Sequence, residues 1–422
     1  MIQKKTKKII GLLFSVLMIV TMLCVMSVLA SAETTDTTPS AEIYGQSVNI
    51  GGDISIKYCV QINDTSVTPE SLSLKVTYLA ETKTLTGCVK NGNYYVFTFT
   101  GIAPQCMGES LAAELYVDET LTDSVPTHSV KQNLLYLYNL EENKDNTHLR
   151  QMIIDTLEYG AAAQTYRGYK TDEPVTKDFA DAASDTDATP PEDTMTLTGG
   201  TADVYFKSAT VRFGTTNYIV VKYYDKNGTV TPTVNGESAE KLDLGNGVYQ
   251  IISEAIDATE LDTDVTFALG EGITLAYSVG DYVYEMTKAG TSATTQMQAL
   301  ANALYNYGCA AEIYAHVLAG VHTGGTPTCI GQPCEVCGIY YGETDASMHA
   351  SGEYTYTESE DGTTHTKKYA CCEVTVTETH TYDDTSGKCV CGSTKVTIDG
   401  VTVNPWENVD IDGGEAEEEI QN

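Results

Sequence analysis

Tyr159-Gly160-Ala161-Ala162-Ala163-Gln164-Thr165-Tyr166 returns in altered form as Tyr307-Gly308-Cys309-Ala310-Ala311-Glu312-Ile313-Tyr314. Each string ends a helical pattern. Leu149, Met152, Ile153, Leu157, Gly160, Ala163 and Tyr166 follow the roughly 3.6-residue spacing of a buried stripe. Met297, Leu300, Ala301, Leu304, Gly308, Ala311 and Tyr314 repeat it. Small residues on such a stripe let another element approach closely, so the motif reads as packing and not as an active site.

A shorter helix precedes each long one. Thr127 or Ser129 is placed to cap a helix over 130–140, and a weaker pattern covers 282–288. Further upstream the chain is strand-like. Ser55-Ile56-Lys57-Tyr58-Cys59-Val60, Ser73-Leu74-Lys75-Val76-Thr77-Tyr78 and Tyr94-Tyr95-Val96-Phe97-Thr98-Phe99 are β-branched and aromatic. Their counterparts are Tyr218-Ile219-Val220-Val221-Lys222-Tyr223-Tyr224, Tyr249-Gln250-Ile251-Ile252 and Val265-Thr266-Phe267-Ala268-Leu269. Asn91-Gly92, Asn227-Gly228 and Asn246-Gly247 supply turns between them. The pattern predicts a β-rich α+β protein: two tandem antiparallel β-sandwich domains, 42–170 and 201–320, each capped by a helix pair. Between them, 171–200 is rich in Asp, Thr, Ala and Pro and reads as an acidic linker that buries little.

The strings YGAAAQTYRGY at 159–169 and LYNYGCAAEIY at 304–314, with the strands before each, resemble a module of secreted proteins from Gram-positive gut anaerobes. The resemblance covers roughly 45–320. It implies a secreted or cell-surface setting and supplies no catalytic or binding residues. Cys309 departs from it, standing where Ala or Gln is usual.

The two ends of the chain agree with that setting. Lys4, Lys5, Lys7 and Lys8 precede an apolar run over 9–28 and then Ala30-Ser31-Ala32, the pattern of a signal peptide over 1–32 cleaved after Ala32. The segment 394–422 turns acidic and carries no sorting motif, so the expected product is secreted or at the cell surface without a covalent anchor. Asp410-Ile411-Asp412-Gly413 lacks the ligand ladder of a calcium loop. Over 422 residues the chain has 58 Asp and Glu against 24 Lys and Arg, a net charge of −34. That excess argues against a nucleic-acid partner and against docking on anionic lipid once the signal is removed.

Of 12 Cys and 7 His, 7 Cys and 4 His fall in 321–393. One group reads His322, Cys329, Cys334, Cys337 and Gly338, with His349 beyond; the next reads His365, Cys371, Cys372, His380, Cys389, Cys391 and Gly392. Zinc takes four thiolate or imidazole ligands in a tetrahedron, and a Cys-x2-Cys turn delivers two of them. Cys329, Cys334 and Cys337 with His322 or His349 are expected to form one structural site. Cys389, Cys391 and His380, with Cys371, Cys372 or His365, are expected to form another. Disulfides are the competing reading in an exported chain, although adjacent Cys371 and Cys372 are poorly placed to pair. The segments 322–342 and 380–392 resemble small zinc-ribbon-type modules at the ends of similar exported proteins. In the body, Cys59 and Cys88 are a conceivable bridge, with buried thiols the preferred reading there and for Cys106 and Cys309. His128, His148 and His316 are expected to be ordinary surface residues.

No Gly-x-Ser-x-Gly, Gly-rich phosphate loop or His-Glu-x-x-His is present. The leading expectation is a non-catalytic exported modular protein, a surface or matrix binding scaffold for an extracellular protein or glycan, with structural zinc. The alternatives are a carbohydrate-binding protein of a polysaccharide-degrading system and an extracellular zinc-dependent hydrolase.

Overall fold

The computed structural model describes residues 39–50, 53–177, 179, 188–192, 194–270, 272–343, 349, 354–359, 364–372, 375–394, 396–398 and 401–403. The expected signal peptide, the middle of the 171–200 segment and the last part of the acidic tail lie outside them. The chain divides into two compact units, Met1–Val321 and His322–Asn422. Among the described residues, the chain is β-rich, with four α-helices and several antiparallel sheets.

The first half of the larger unit runs β1 (Ala41–Asn49), β2 (Ser55–Ile62), β3 (Leu72–Tyr78), β4 (Glu81–Leu85), β5 (Val89–Asn91), β6 (Tyr94–Phe99), β7 (Leu111–Val117) and β8 (Thr120–His128). Two helices follow, α1 (Val130–Asn139) and α2 (Thr147–Arg167). The strands form two four-stranded sheets, β1-β2-β6-β5 and β4-β3-β7-β8. Alternation decides which face of each is buried: Leu72, Leu74 and Val76 of β3 and Leu111, Ala113 and Leu115 of β7 join Ile56, Tyr58 and Val60 of β2 in one core. Helix α1 starts where Ser129 Oγ accepts the Gln132 N–H at 3.1 Å, so of the two caps offered by the sequence it is Ser129 that serves.

The second half runs β9 (Thr196–Thr198), β10 (Val204–Arg212), β11 (Tyr218–Asp225), β12 (Thr233–Val234), β13 (Glu237–Ser238), β14 (Leu242–Gly245), β15 (Val248–Ile252), β16 (Val265–Ala268) and β17 (Thr274–Tyr277). Helices α3 (Val279–Thr287) and α4 (Thr295–Ala319) close it. Its sheets are ordered β10-β11-β15-β14 and β13-β12-β16-β17-β9. Apart from β9, that order reproduces the first half strand for strand. Ser278 and Asp281 form a reciprocal capping box that begins α3 earlier than the apolar pattern alone implies.

Gly160 and Gly308 explain the repeated string. A Cβ on Gly308 would lie 2.9 Å from Ala258 O, and one on Gly160 would lie 3.1 Å from Pro104 O. Each glycine thus admits a 3-10 turn, Ala258–Glu260 or Pro104–Cys106, against the long helix. The two long helices also pack on each other, with Tyr159 stacked on Tyr307.

The 171–200 segment buries more than its composition suggests. Val175 is buried and donates its N–H to Gln164 Oε1 at 2.8 Å, while Phe179 packs edge-on against Tyr138. Thr194 bonds Asp281 Oδ1 through both N–H and Oγ1, and β9 pairs with β17. A few apolar and hydroxyl side chains suffice to dock it, which an average over the segment hides.

His128 differs from its expected surface role. It is buried, donating Nδ1–H to Pro126 O and accepting the Tyr58 O–H at Nε2, each at 3.1 Å. No described cysteine is in a disulfide; Cys88 Sγ faces Pro69 O at 3.7 Å. Among the described residues, no helix is long and apolar enough to cross a membrane.

Candidate metal centres

The smaller unit is built from hairpins and turns: β18 (Gln332–Pro333) with β19 (Tyr340–Tyr341), a sheet of β20 (Tyr354–Glu358), β21 (Thr364–Tyr369) and β22 (Thr375–Thr379), and the pair β23 (Val396–Ile398) and β24 (Val401–Val403). Every buried side chain described in 322–394 belongs to one of the Cys or His residues singled out from sequence: Cys329, Cys334, Cys337, His365, Cys372 and Cys389. Among the described residues of 322–394, no buried apolar side chain other than cysteine accompanies them. A segment this short with so thin a core draws its stability from added ties, of which crosslinks and metal are the commonest.

All eleven candidate ligands converge, in three clusters that could each hold a metal ion. Cluster I is His322, Cys334 and Cys337; cluster II is Cys329, His349, Cys371 and Cys372; cluster III is His365, His380, Cys389 and Cys391. Within each, the ligand atoms lie within 4.8 Å of one another. The grouping differs from the one read along the chain. Cys329 stands in a tight turn closed by Thr328 N–H to Gly331 O at 2.8 Å, and it meets Cys371 and Cys372, not Cys334 and Cys337. His349 joins it there. Sequence order favoured neighbours 5 and 8 positions away, while the hairpin β18–β19 carries Cys334 and Cys337 to a separate site with His322.

The spacings suit a tetrahedral ion. Zn–S bonds of about 2.3 Å and Zn–N bonds of about 2.0 Å give tetrahedral edges of roughly 3.3–3.8 Å. In cluster II, Cys371 Sγ is 3.5 Å from Cys329 Sγ, 3.5 Å from His349 Nδ1 and 4.0 Å from Cys372 Sγ. In cluster III, His365 Nδ1 is 3.4 Å from His380 Nδ1 and 3.7 Å from Cys389 Sγ, and Cys391 Sγ is 3.2 Å from His380 Nδ1. In cluster I, Cys337 Sγ is 3.4 Å from His322 Nδ1. A disulfide would need about 2.05 Å between sulfurs.

Local structure aims each ligand. Gly338, at φ +71°, lets its N–H reach Cys334 O at 2.9 Å and closes the Cys-x2-Cys knuckle. Burial raises the Cys334 thiol, but the N–H groups of Cys337, Thr323 and Val336, with His322, outweigh it and bring it down to about 6. Burial also raises Cys391, which Ser393 and Cys389 more than offset. Cys329 goes the other way, pushed up to about 12 by burial and by Cys372 and Cys371 beside it. A cation beside the Cys329 sulfur would favour its thiolate instead. Thiolate-rich sets with imidazole suit zinc among common divalent ions.

Residues around the ligands were not foreseen. Tyr341 stacks on His322 and Tyr369 on His349, the latter with ring centroids 3.7 Å apart. Glu378 Oε2 accepts from His365 Nε2 at 3.3 Å, which fixes the tautomer that presents Nδ1 to cluster III. The β21–β22 register places His365 opposite Glu378, a pairing between strands that no spacing along the chain announces. Glu378, His365, Tyr382, Asp383 and Lys388 also line an open cleft of about 760 Å³ against this cluster.

No protein-family model matches the chain, and no curated protein matches it either.

Proposed function

We propose that the chain is a non-catalytic exported modular protein whose C-terminal unit is held together by structural zinc. The reading is carried by one observation: the buried side chains described in that unit are metal-capable ligands, and two of its clusters offer four each. Four protein ligands leave no position for water or substrate, the arrangement of a structural site. In the larger unit, the matching strand orders and the helix pair after each half support two duplicated β-sandwiches, each covered by its helices. Such units serve as scaffolds presenting a surface to an extracellular protein or glycan. Elemental analysis of the purified full chain tests the zinc assignment, with two or three equivalents supporting it and none opposing it. A glycan array probed with the same chain separates a glycan partner from a protein one.

A second reading, a zinc-dependent hydrolase, draws on cluster I. Among the described residues it offers three ligands, and a three-ligand zinc leaves one position for an activated water. Hydrolysis of ester or peptide substrates that disappears in His322→Ala would favour it.

A further inference from the structure

Cys371 is the one exposed cysteine among the described residues. Its cluster is also the richest in sulfur, with three thiols and one imidazole where cluster III has two of each and cluster I has two thiols and one imidazole. Three thiolates around a divalent ion leave a net charge of −1. Two thiolates with imidazoles leave none. Nucleophilic sulfur is therefore concentrated in cluster II, and it is most open to solvent there, Cys391 of cluster III being half-buried. A second thiol stands ready behind it: Cys329 Sγ lies 3.5 Å from Cys371 Sγ and is buried.

Resting on the structural-metal reading, we propose that cluster II is a thiol-redox site, with Cys371 the attacking sulfur and Cys329 the resolving one. The oxidant is a small-molecule disulfide of the glutathione class. The Cys371 thiolate attacks one sulfur of R–S–S–R, forming a Cys371–S–S–R mixed disulfide and expelling one RS−. The Cys329 thiolate then attacks Cys371 Sγ, forming the Cys329–Cys371 disulfide and expelling the second RS−. Two protein thiolates lose two electrons in all, and one small disulfide becomes two thiolates. Closing the bond needs the sulfurs to approach from 3.5 Å to about 2.05 Å. Cys372 is the less suitable resolver, since adjacent cysteines bridge poorly. Only Cys372 and His349 then remain, too few ligands to hold the ion. Clusters I and III, whose cysteines are buried or half-buried, keep theirs, so oxidation loosens one end of the Cys329 turn from the sheet of β20 to β22 without dismantling the rest.

The test treats the zinc-loaded full chain with oxidised glutathione while a chromogenic chelator records released zinc and peptide mapping records modified cysteines. The expected result is one equivalent released ahead of any other, with a Cys329–Cys371 disulfide at the end of that phase. In Cys329→Ser the reaction should stop at a glutathione adduct on Cys371. In Cys371→Ser the early phase should vanish while clusters I and III still load. First modification at Cys334, Cys337, Cys389 or Cys391, simultaneous loss from every site, or no reaction would overturn the proposal. A chain holding no zinc before the oxidant is added would instead overturn the structural-metal reading beneath it, and elemental analysis at the start distinguishes the two failures.

Discussion

The ring of Tyr159 stacks on that of Tyr307 at 5.5 Å between centroids and 9° from parallel, so the leading residue of each repeated string meets its own counterpart. The contact joins the two halves of the larger unit through their long helices. Tyr307 adds a second tie, donating its hydroxyl to Ile50 O in the first half at 2.6 Å. Burial pushes both hydroxyls well above the ordinary tyrosine range, so neither ionises while the fold persists.

Tyr307→Phe keeps the stack and removes the bond to Ile50, leaving a buried carbonyl short of a partner. The expected loss is about 1–2 kcal/mol. Urea unfolding of the larger unit should show a lower midpoint at unchanged slope. Tyr159→Ala, which removes the stack, should cost more, about 3–5 kcal/mol.

Gly308→Ala places a methyl against Ala258 O and Leu261, where the backbone must yield. Overpacking of this kind costs about 1–3 kcal/mol, against a helix-propensity gain of about 1 kcal/mol. The net effect should be a lower Tm. Gly160→Ala should be milder, because its nearest backbone atom, Pro104 O, lies farther off at 3.1 Å and the closer atoms are side-chain ends of Met107 and Val175.

His128 is held neutral. Burial lowers its pKa, with the Pro126 carbonyl partly restoring it. Below about pH 6.5 the unfolded chain therefore takes up a proton that the folded one refuses. Stability is lost as pH falls from the unfolded pKa to the folded one and is then flat. NMR titration of the imidazole should give a midpoint below 6.5, and His128→Gln should remove this contribution to the acid limb.

Glu378→Gln keeps the shape and weakens the bond that orients His365. Loss of such a partner typically lowers metal affinity about 10- to 100-fold. Competition with a chelator should show one ion, that of cluster III, leaving earlier than in the parent chain, while clusters I and II are unchanged.

Much of the larger unit is legible along the chain because its signals are local. Leu72, Leu74, Val76 and Tyr78 alternate, and Leu149, Met152, Ile153 and Leu157 recur at helical spacing, so strand β3 and helix α2 can be read without their neighbours. His128 could not be read this way, since its burial depends on Tyr58, far off in sequence. The same limit applies to the candidate metal ligands. Residue type singled out the eleven, yet their division into clusters depends on where the Cys329 turn and the β20–β22 sheet bring distant positions together. Val175 and Thr194 escaped notice because an acidic, Pro-containing segment hides two docking points in its average composition.

In the structural-zinc reading, metal and not an apolar core holds 322–394 together. Hydrogen exchange read by mass spectrometry on the full chain, with elemental zinc and denatured thiol counts before and after a strong chelator, tests it most directly. Two to three zinc ions should be present at the start, and the thiols should react once the chain is denatured. After chelation, protection should collapse across 322–394 while helices α2 and α4 keep theirs. A chain without metal whose cysteines in 329–391 are unreactive even when denatured, and whose exchange the chelator leaves unchanged, would contradict it and point to disulfides instead.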